Sequence, residues 1–254
     1  MFTKPILATV VATLVTATQA TQSFGNKGTL AGWDSILKEN KGTVEEVTNV
    51  VREGPTAIKV TQTYDPNWKG RYHSEVHRGK GYRRGETGFY GWAFRLQEDW
   101  QFSPAQGYNL GQFIADFTDT GCDDWMPSSM VWIEGNQLAS RVKYGNICAQ
   151  HTREFKGLAT VSAGVWHKVE IQANWQSDGT GFYKLWFDGV KVLEQYNLAT
   201  TIDDSREFGF HLGLYANGWH DDNGGMKGTQ PFRQVWYDEI GIGSTFADAD
   251  PDQW

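Results

Sequence analysis

The sequence is poor in the residues and motifs that mark several large protein classes. Its 254 residues include only two cysteines and no Cys-x-x-Cys pair, which argues against a disulfide-rich scaffold and a cysteine-based zinc site. Glycine-rich phosphate loops, His-Glu-x-x-His pairs and Gly-x-Ser-x-Gly turns are also missing, which argues against the nucleotide-binding, zinc-protease and serine-hydrolase classes that use them. No apolar run is long enough to span a bilayer comfortably, so we expect no membrane association.

Positive charge is scarce as well. There are 23 Lys and Arg against 30 Asp and Glu, a net charge of -7. Residues 69–84, KGRYHSEVHRGKGYRR, nevertheless concentrate basic side chains. We expect a local anionic ligand rather than nucleic acid, because the basic cluster is confined to one region of an otherwise acidic chain. A solvated strand edge that blocks aggregation is the alternative for Lys80, Arg83 and Arg84.

The chain begins with the pattern of a secretory signal peptide. In residues 1–20, MFTKPILATVVATLVTATQA, one lysine precedes an apolar run that ends in small residues. We predict a secreted, extracellular protein whose mature chain, residues 21–254, is a single domain, since no linker or repeat interrupts it. We expect a monomer with a solvated acidic C-terminal end, ADADPDQW. In an exported chain, Cys122 and Cys148 are expected to pair; free thiols or metal ligands are the alternatives.

The composition and the sequence pattern favour strands. Aromatic residues make up 14% of the chain and glycines number 29, as is typical of strands joined by turns. About a dozen strand-like runs follow one another, and no window shows helical periodicity beyond a turn or two. We predict an all-β fold, a β-jelly-roll sandwich of two antiparallel sheets with a concave groove. Asp188-Gly189 is the sharpest hairpin signal, because both residues suit a type I′ turn.

The run EFGFHLGLYAN, residues 207–217, has two distinct faces. Its Phe and Leu residues alternate on one face, which is a core pattern. On the other face His211, Tyr215 and Asn217 stand among glycines, and glycine leaves the backbone open to a bulky ligand. Glycines that only ease a bend are the alternative. We interpret this second face as part of a binding surface.

Three further runs offer polar side chains to the same surface. RYHSEVH (residues 71–77), NLGQFIADF (109–117) and SRVKY (140–144) each alternate polar with apolar or small residues. Cationic and amide groups on several strands suit a polymer whose repeating unit carries a carboxylate. The predicted surface residues of these runs are Arg71, His73, Glu75, His77, Gln112, Arg141 and Lys143.

These strands resemble motifs of the β-jelly-roll polysaccharide lyases. Alginate lyases of this fold carry Arg-[Ser/Thr]-Glu-Leu-Arg, Gln-[Ile/Val]-His and Tyr-Phe-Lys-Ala-Gly-x-Tyr strands, whose counterparts here are RYHSEVH, GQFIADF and FGFHLGLYAN. His211 stands where that family has Lys, and Ile114 where it has His. With His73 as the imidazole and TGFYGWAFRLQEDW following, the chain resembles most the fungal glucuronan lyases. The resemblance covers nearly the whole mature chain and implies β-elimination of a β-1,4-linked polyuronate, an anionic polysaccharide.

The chemistry of β-elimination suggests a role for each residue. The enzyme must neutralise the uronate carboxylate with donors placed where charge develops, a role suited to Gln112 with Arg71 or His73. In glucuronate the departing proton and the glycosidic oxygen lie on one ring face, so one group can act as base and then as acid. Tyr215 is the candidate, because a phenol near cations ionises more easily; a base role shared with His73 is the alternative. The predicted catalytic residues are Tyr215, His73 and Gln112, and the predicted substrate-binding residues are Arg71, Glu75, Arg141, Lys143, His211 and Asn217.

Two other functions remain open. A retaining glycoside hydrolase needs two carboxylates about 5 Å apart, whereas the closest acidic neighbours, Asp203-Asp204 and Asp238-Glu239, would point to opposite strand faces. A non-catalytic carbohydrate-binding module needs only a row of exposed aromatic rings. The candidates for such a row are Trp68, Trp92, Trp132 and Trp219.

The lyase resemblance also implies a metal ion but no organic cofactor. It implies a structural Ca²⁺ away from the groove, for which Asp238 in the run VWYDEIGIG is the predicted ligand. An ordinary acid at the end of a strand is the alternative.

Overall fold

The computed structural model describes residues 21–221 and 224–253, so the predicted signal peptide, residues 1–20, lies outside the described residues. Strands make up most of its regular structure, and no helix within the described ranges is long and apolar enough to cross a membrane. The strands are β1 (Gln22–Asn26), β2 (Ser35–Lys38), β3 (Thr43–Val47), β4 (Ala57–Thr63), β5 (His73–Tyr82), β6 (Thr87–Leu96), β7 (Gly107–Asp116), β8 (Trp125–Glu134), β9 (Gln137–Asn146), β10 (Ala149–Thr160), β11 (Trp166–Asn174), β12 (Gly181–Phe187), β13 (Val190–Leu198), β14 (Phe208–Tyr215) and β15 (Phe232–Gly243). The helices are 3₁₀ turns at Thr118–Thr120 and Asn217–Trp219 and α1 (Phe246–Ala249).

Two antiparallel sheets pack face to face. The groove sheet has the order β10-β9-β8-β7-β14-β5-β2, and the outer sheet has the order β13-β12-β11-β6-β15-β4-β3, with β1 also paired to β15. This arrangement confirms the predicted all-β jelly-roll sandwich. Strand β14 lies between β5 and β7, so the polar faces predicted for these three runs become neighbours.

The core between the sheets contains the predicted apolar face of β14. Its Phe and Leu side chains, from Phe208 to Leu214, are fully buried. Tyr82 stacks on Phe208 at 4.8 Å and on Trp175 at 3.9 Å between ring centroids. Burying one large apolar side chain stabilises the fold by about 1.5–3 kcal/mol. This buried face therefore holds the opposite face of β14 towards the groove.

The sequence predicted the Asp188-Gly189 turn correctly but missed strands at the edges of the sheets. Asp188 and Gly189 join β12 to β13 with φ angles of 50° and 77°, which confirms the type I′ turn. Strands β1, β2 and β10 were not predicted. Strands β2 and β10 are the two edges of the groove sheet, and β10 has mostly exposed side chains and no apolar alternation. Sequence periodicity therefore identifies strands with a buried face better than strands at a solvated edge.

The acidic C-terminal segment packs on the outer sheet, so the expectation of a solvated end is wrong for the described residues 247–253. Lys168 Nζ lies 2.7 Å from Asp250 Oδ1 and 2.6 Å from Asp252 Oδ2, and Arg52 also pairs with Asp252. Beneath them, Glu170 is fully buried. Burial and the charge of Asp250 raise the pKa of Glu170 to about 8, against the opposing effect of Lys168. Basic residues distant in sequence, Lys168 and Arg52, hold this segment on the sheet. The charges within the segment itself could not predict these contacts.

The predicted disulfide is present and lies beside the groove sheet. Cys122 and Cys148 are bonded, with their Cα atoms 5.1 Å apart. Cys122 follows the 3₁₀ turn after β7, and Cys148 lies in the turn between β9 and β10. The bond therefore ties the segment entering β8 to the edge of the sheet.

Removing this disulfide is expected to lower stability without abolishing activity. For a closed loop with a sequence separation of 26 residues, the chain-entropy estimate is about 3 kcal/mol, or roughly 6–12 °C in melting temperature for a chain of this size. The measurement is thermal unfolding of the Cys122→Ser/Cys148→Ser variant beside wild type. Equal melting temperatures, or two alkylatable thiols in the native secreted protein, would contradict the assignment.

Candidate active site

One face of the groove sheet carries a cavity of about 500 Å³. Strand register forms its floor, because His211 of β14 lies between His77 of β5 and Gln112 of β7. Further along β14, Tyr215 is opposite His73. The cavity is also lined by the predicted residues Arg71, Glu75, Arg141 and Lys143, and by Ser35, Leu37, Glu39, Ile114, Asp123, Trp125, Pro127 and Asp221.

Glu75 contacts three other polar side chains on the cavity floor. It is only 4% exposed, and its Oε1 accepts a hydrogen bond of 2.8 Å from Gln112 Nε2. His73 Nδ1 and His211 Nδ1 lie 3.5 Å and 3.7 Å from its Oε2. Burial raises the pKa of Glu75, but the two imidazoles outweigh burial and hold that pKa well below its usual range. Glu75 thus remains a carboxylate, and its contacts favour positioning His73 and Gln112 over the predicted direct contact with an anionic substrate.

The imidazoles of the cavity differ in charge. His77 Nδ1 lies 2.6 Å from His211 Nε2, and burial together with the charge of His211 lowers the pKa of His77 to about 4. Burial also lowers the pKa of His73, but Glu75 and Glu39 outweigh this effect and the net shift is upward. His73 therefore favours the charged form, whereas His77 is neutral at neutral pH.

The basic cluster of residues 69–84 does not make the cavity broadly cationic. Most of its arginines instead pair with carboxylates from other segments, and exposed pairs of this kind contribute only about 0–1 kcal/mol each. Arg71, which lies two residues before the start of β5, lines the cavity. The ion pairs are Arg78 with Asp34, Arg83 with Glu207, and Arg84 with Asp203.

Tyr215 contacts the carboxylate of Asp221, a residue that was not predicted from the sequence. Its hydroxyl donates a hydrogen bond to Asp221 Oδ2, and its ring is 6.0 Å from that of His73. Burial and the bond to Asp221 raise the pKa of the phenol well above its usual value, and the charge of Arg71 opposes this only in part. The expectation of an easily ionised phenol is therefore wrong. Asp221 was missed because the 3₁₀ turn after β14 folds it back over Tyr215, and a short acidic run does not reveal such a return.

The remaining predicted substrate-binding residues occupy two cavities. Lys143 lines the main cavity, its Nζ donates to Gln150 Oε1 at 2.9 Å, and burial and the charge of Arg141 lower its pKa. Arg141 lines both the main cavity and a second one of about 240 Å³. Asn217 lines only the second, and its amide nitrogen can donate to the backbone oxygen of Tyr215 at 3.3 Å. The structure therefore places Asn217 apart from the Tyr215 cavity.

The two alternative functions find little support in this geometry. Of the four tryptophans considered for a binding platform, Trp68 is 39% exposed, whereas Trp92, Trp132 and Trp219 are buried. Buried rings cannot stack on a sugar. Neither Asp203-Asp204 nor Asp238-Glu239 lines the two cavities, so these pairs cannot serve a hydrolase mechanism there.

Asp238 and Glu239 lie on β15 of the outer sheet, away from the groove. Asp238 Oδ2 accepts hydrogen bonds from the backbone nitrogens of Arg52 at 2.9 Å and Glu53 at 3.2 Å, and burial raises its pKa. Glu239 is fully buried, and neither of its carboxylate oxygens accepts a hydrogen bond from the described residues. Burial and the charge of Asp238 raise the pKa of Glu239 to about 7. Unpartnered buried oxygens beside a second carboxylate fit the hard, oxygen-ligated Ca²⁺, although the described residues contain no group of three or more acidic, His or Cys side chains around one point.

Comparison with solved structures finds a strong similarity to one enzyme and a shared fold with others. The endo-β-1,4-glucuronan lyase from the fungus Trichoderma reesei is 59% identical, with a TM-score of 0.90 over 92% of this chain and 100% of that chain. The alginate lyase from Aplysia kurodai (TM-score 0.56, 9% identity, 88% and 99% covered) and vAL-1 from Chlorella virus (0.56, 10%, 84% and 93%) share the fold. A search of curated proteins finds no match.

The family comparison covers most of the same region. A family profile described as polysaccharide lyase matches residues 25–241, a range that contains the cavity, the disulfide and all of both sheets except the first residues of β1 and the last residues of β15. Together with 59% identity to a lyase over nearly the whole chain, this match shows that the chain belongs to the polysaccharide lyase family.

Proposed function

We propose that this polysaccharide lyase acts outside the cell, as a monomer, on β-1,4-linked glucuronan. The observation that carries the proposal is one cavity in which His73 and Gln112 contact the buried carboxylate of Glu75 and Tyr215 lies opposite His73. The 59% identity to a glucuronan lyase supports the choice of polymer. The disulfide supports an oxidising, extracellular location.

Neutralisation of the substrate carboxylate falls to His73 and Gln112. Glu75 and Glu39 favour the imidazolium form of His73, which can pair with the uronate carboxylate as negative charge builds up beside it. Gln112 uses one amide hydrogen on Glu75 and retains a second for the substrate. A charged His73 is a poor base, so these contacts favour the neutralising role for it over the base role.

Proton transfer falls to Tyr215. It faces His73 across the pairing of β5 and β14, so a uronate held by His73 would present its ring to the phenol. The proton on C5 and the glycosidic oxygen on C4 of glucuronate share one ring face, and a single oxygen can therefore serve both. Arg71, Arg141 and Lys143 would bind carboxylates of flanking residues, and Asn217 would act at the second cavity. Glu75 would hold the neutralising pair. His211, whose ring nitrogens face Glu75 and His77, would support Glu75 instead of binding substrate directly as predicted.

The test is an activity assay on a panel of polyuronates. Elimination leaves an unsaturated uronate that absorbs at about 235 nm because of its conjugated double bond, and neither a hydrolase nor a binding module generates such a product. Glucuronan is expected to be the best substrate among glucuronan, polymannuronate, polyguluronate and hyaluronan. Absence of the 235 nm product on every polymer would overturn the proposal, and preference for an alginate block would overturn its substrate.

We further propose that Asp238 and Glu239 hold a structural Ca²⁺ together with nearby backbone oxygens. The unpartnered oxygens of buried Glu239 support the proposal. The ion, when bound, neutralises two adjacent carboxylates at a site remote from the groove.

Chelation is expected to lower the melting temperature and leave the active site intact. A ligand that binds only the folded protein stabilises it by about 2.7 kcal/mol at a hundredfold excess over Kd, and a chelator would remove this term. Thermal unfolding with chelator, and after Ca²⁺ is added back, measures it. The shift should vanish in Glu239→Gln and persist in Glu98→Gln, whose carboxylate is on the exposed surface. An unchanged wild-type melting temperature would count against the ion.

A further inference from the structure

A chain of hydrogen bonds leads from Tyr215 out of the cavity. The phenol donates to Asp221 Oδ2, the other carboxylate oxygen, Oδ1, lies 2.7 Å from His220 Nδ1, and His220 Nε2 lies 3.1 Å from the backbone oxygen of Lys69. Neither Asp221 nor His220 was among the residues predicted from sequence. The phenol of Tyr215 is thus the inner end of a polar chain that reaches the surface.

The contacts of His220 on either side of its ring show how it holds Asp221. A carbonyl oxygen can only accept, so His220 Nε2 must carry a hydrogen towards Lys69. On the other side of the ring, His220 Nδ1 lies within hydrogen-bond distance of Asp221 Oδ1. Asp221 is thus held between a ring nitrogen of His220 and the phenol of Tyr215.

The hydrogen bond from the phenol of Tyr215 to Asp221 creates a requirement for the proposed mechanism. A phenol that keeps its own hydrogen cannot accept the C5 proton of the substrate unless that hydrogen moves elsewhere. The group that already accepts it is Asp221. The other groups facing the phenol are the cations Arg71 and His73 and the carboxylate Glu75, and Asp221 is the one of these to which the phenol donates.

We propose that Asp221, held by His220, takes the phenolic proton of Tyr215 as Tyr215 receives the substrate proton. The inference rests on the proposed lyase function. The C5–H bond breaks, its proton goes to Tyr215 Oη, and the phenol's original proton goes to Asp221 Oδ2. The electron pair left on C5 forms the C4–C5 double bond as the C4–O bond breaks. The departing glycosidic oxygen takes the proton from Tyr215, and Asp221 returns its proton to the phenol, so the net change is transfer of one proton from C5 to the leaving oxygen.

Asp221 acts through Tyr215, and its amide variant separates proton transfer from positioning. In Asp221→Asn the side-chain oxygen can still accept the phenol's hydrogen bond but cannot keep its proton. We expect kcat to fall by at least about a hundredfold, the lower limit for loss of a proton-transfer group, with KM and melting temperature nearly unchanged. The variant should also regain activity as pH rises, because it depends on prior ionisation of the phenol. A kcat within threefold of wild type and an unchanged pH profile would overturn the proposal.

The matched control is Asp178→Asn. Asp178 also accepts a hydroxyl hydrogen bond, from Thr180 Oγ1 at 2.5 Å, but it lies in an exposed turn after β11. Its kcat should match wild type.

A double variant tests whether the two residues share one step. If Asp221 acts through Tyr215, Asp221→Asn should slow Tyr215→Phe no further, since groups acting in one step fail together. Additive losses would indicate an independent structural role and overturn the relay. The two proposals are contradicted by different results. If the proposed function is wrong, wild type forms no 235 nm product on any polyuronate. If only the relay is wrong, wild type is fully active and the Asp221 variant gives one of the contradicting results described above.

Discussion

Tyr215→Phe is expected to lower kcat by about a hundredfold to ten-thousandfold, the range for loss of a general acid-base group. The substitution removes one oxygen and retains the aromatic ring that lies against His73. Without that oxygen there is no atom to receive the C5 proton or to return it to the leaving group. Substrate binding and melting temperature should change little, because the ring remains and the lost hydrogen bond is to Asp221, a partly exposed side chain.

The measurement is the initial rate of 235 nm product formation, with KM determined in parallel. Tyr196→Phe is the matched control, because Tyr196 also donates its hydroxyl to a carboxylate, Glu194, but is exposed on the outer sheet. Gln112→Ala should lower turnover as well, and its loss should not multiply with that of Tyr215→Phe, because both groups serve one step. Retention of more than about a tenth of the wild-type kcat in Tyr215→Phe lies outside the general acid-base range and would transfer the proton step to His73.

Glu75→Gln is expected to lower kcat by about a hundredfold to a thousandfold, as removal of a transition-state electrostatic contact does. The amide keeps the shape of the side chain but removes the charge that keeps the pKa of His73 raised. His73 then loses its proton at lower pH and no longer neutralises the substrate carboxylate. The loss should therefore grow as pH rises, and the alkaline limb of the rate profile should shift to lower pH.

Glu75→Gln is also expected to change how the melting temperature depends on pH. His73 has a raised pKa in the folded protein, so its contribution is complete below its ordinary pKa of 6.5 and is lost as pH rises through the folded value. Glu75 has a lowered pKa, so its contribution is present above its ordinary value of 4.5 and is lost as pH falls. The pair therefore stabilises wild type most between these two values, and Glu75→Gln should flatten the pH dependence of the melting temperature there.

Glu194→Gln is the control for Glu75→Gln. Glu194 likewise lies between two basic groups, Lys184 and Lys191, but on the outer sheet. It should leave the rate profile unchanged. An unshifted alkaline limb in Glu75→Gln would show that Glu75 does not control the charge of His73.

Much of the site could be predicted from sequence because its residues alternate along strands that have one buried face. His211 and Tyr215 follow from the alternation of β14, and His73 and Glu75 follow from that of β5. The chemical role of Glu75 could not be predicted in this way. Its contacts come from Gln112 and His211 on two other strands, and alternation within one strand contains no information about which strand becomes its neighbour.

The sequence by itself determined the features that depend on residues close together in the chain: the strand pattern, the buried face of β14, the Asp188-Gly189 turn and the polar face that carries Tyr215. Only the tertiary structure decided which charges meet. It docks the acidic C-terminal segment on Lys168, pairs the basic cluster of residues 69–84 with distant carboxylates, and returns Asp221 to the phenol of Tyr215. The physical reason is that alternation along a strand reflects burial of the nearest neighbours, whereas charge pairing depends on strand order and on how loops return, which many long-range contacts determine together.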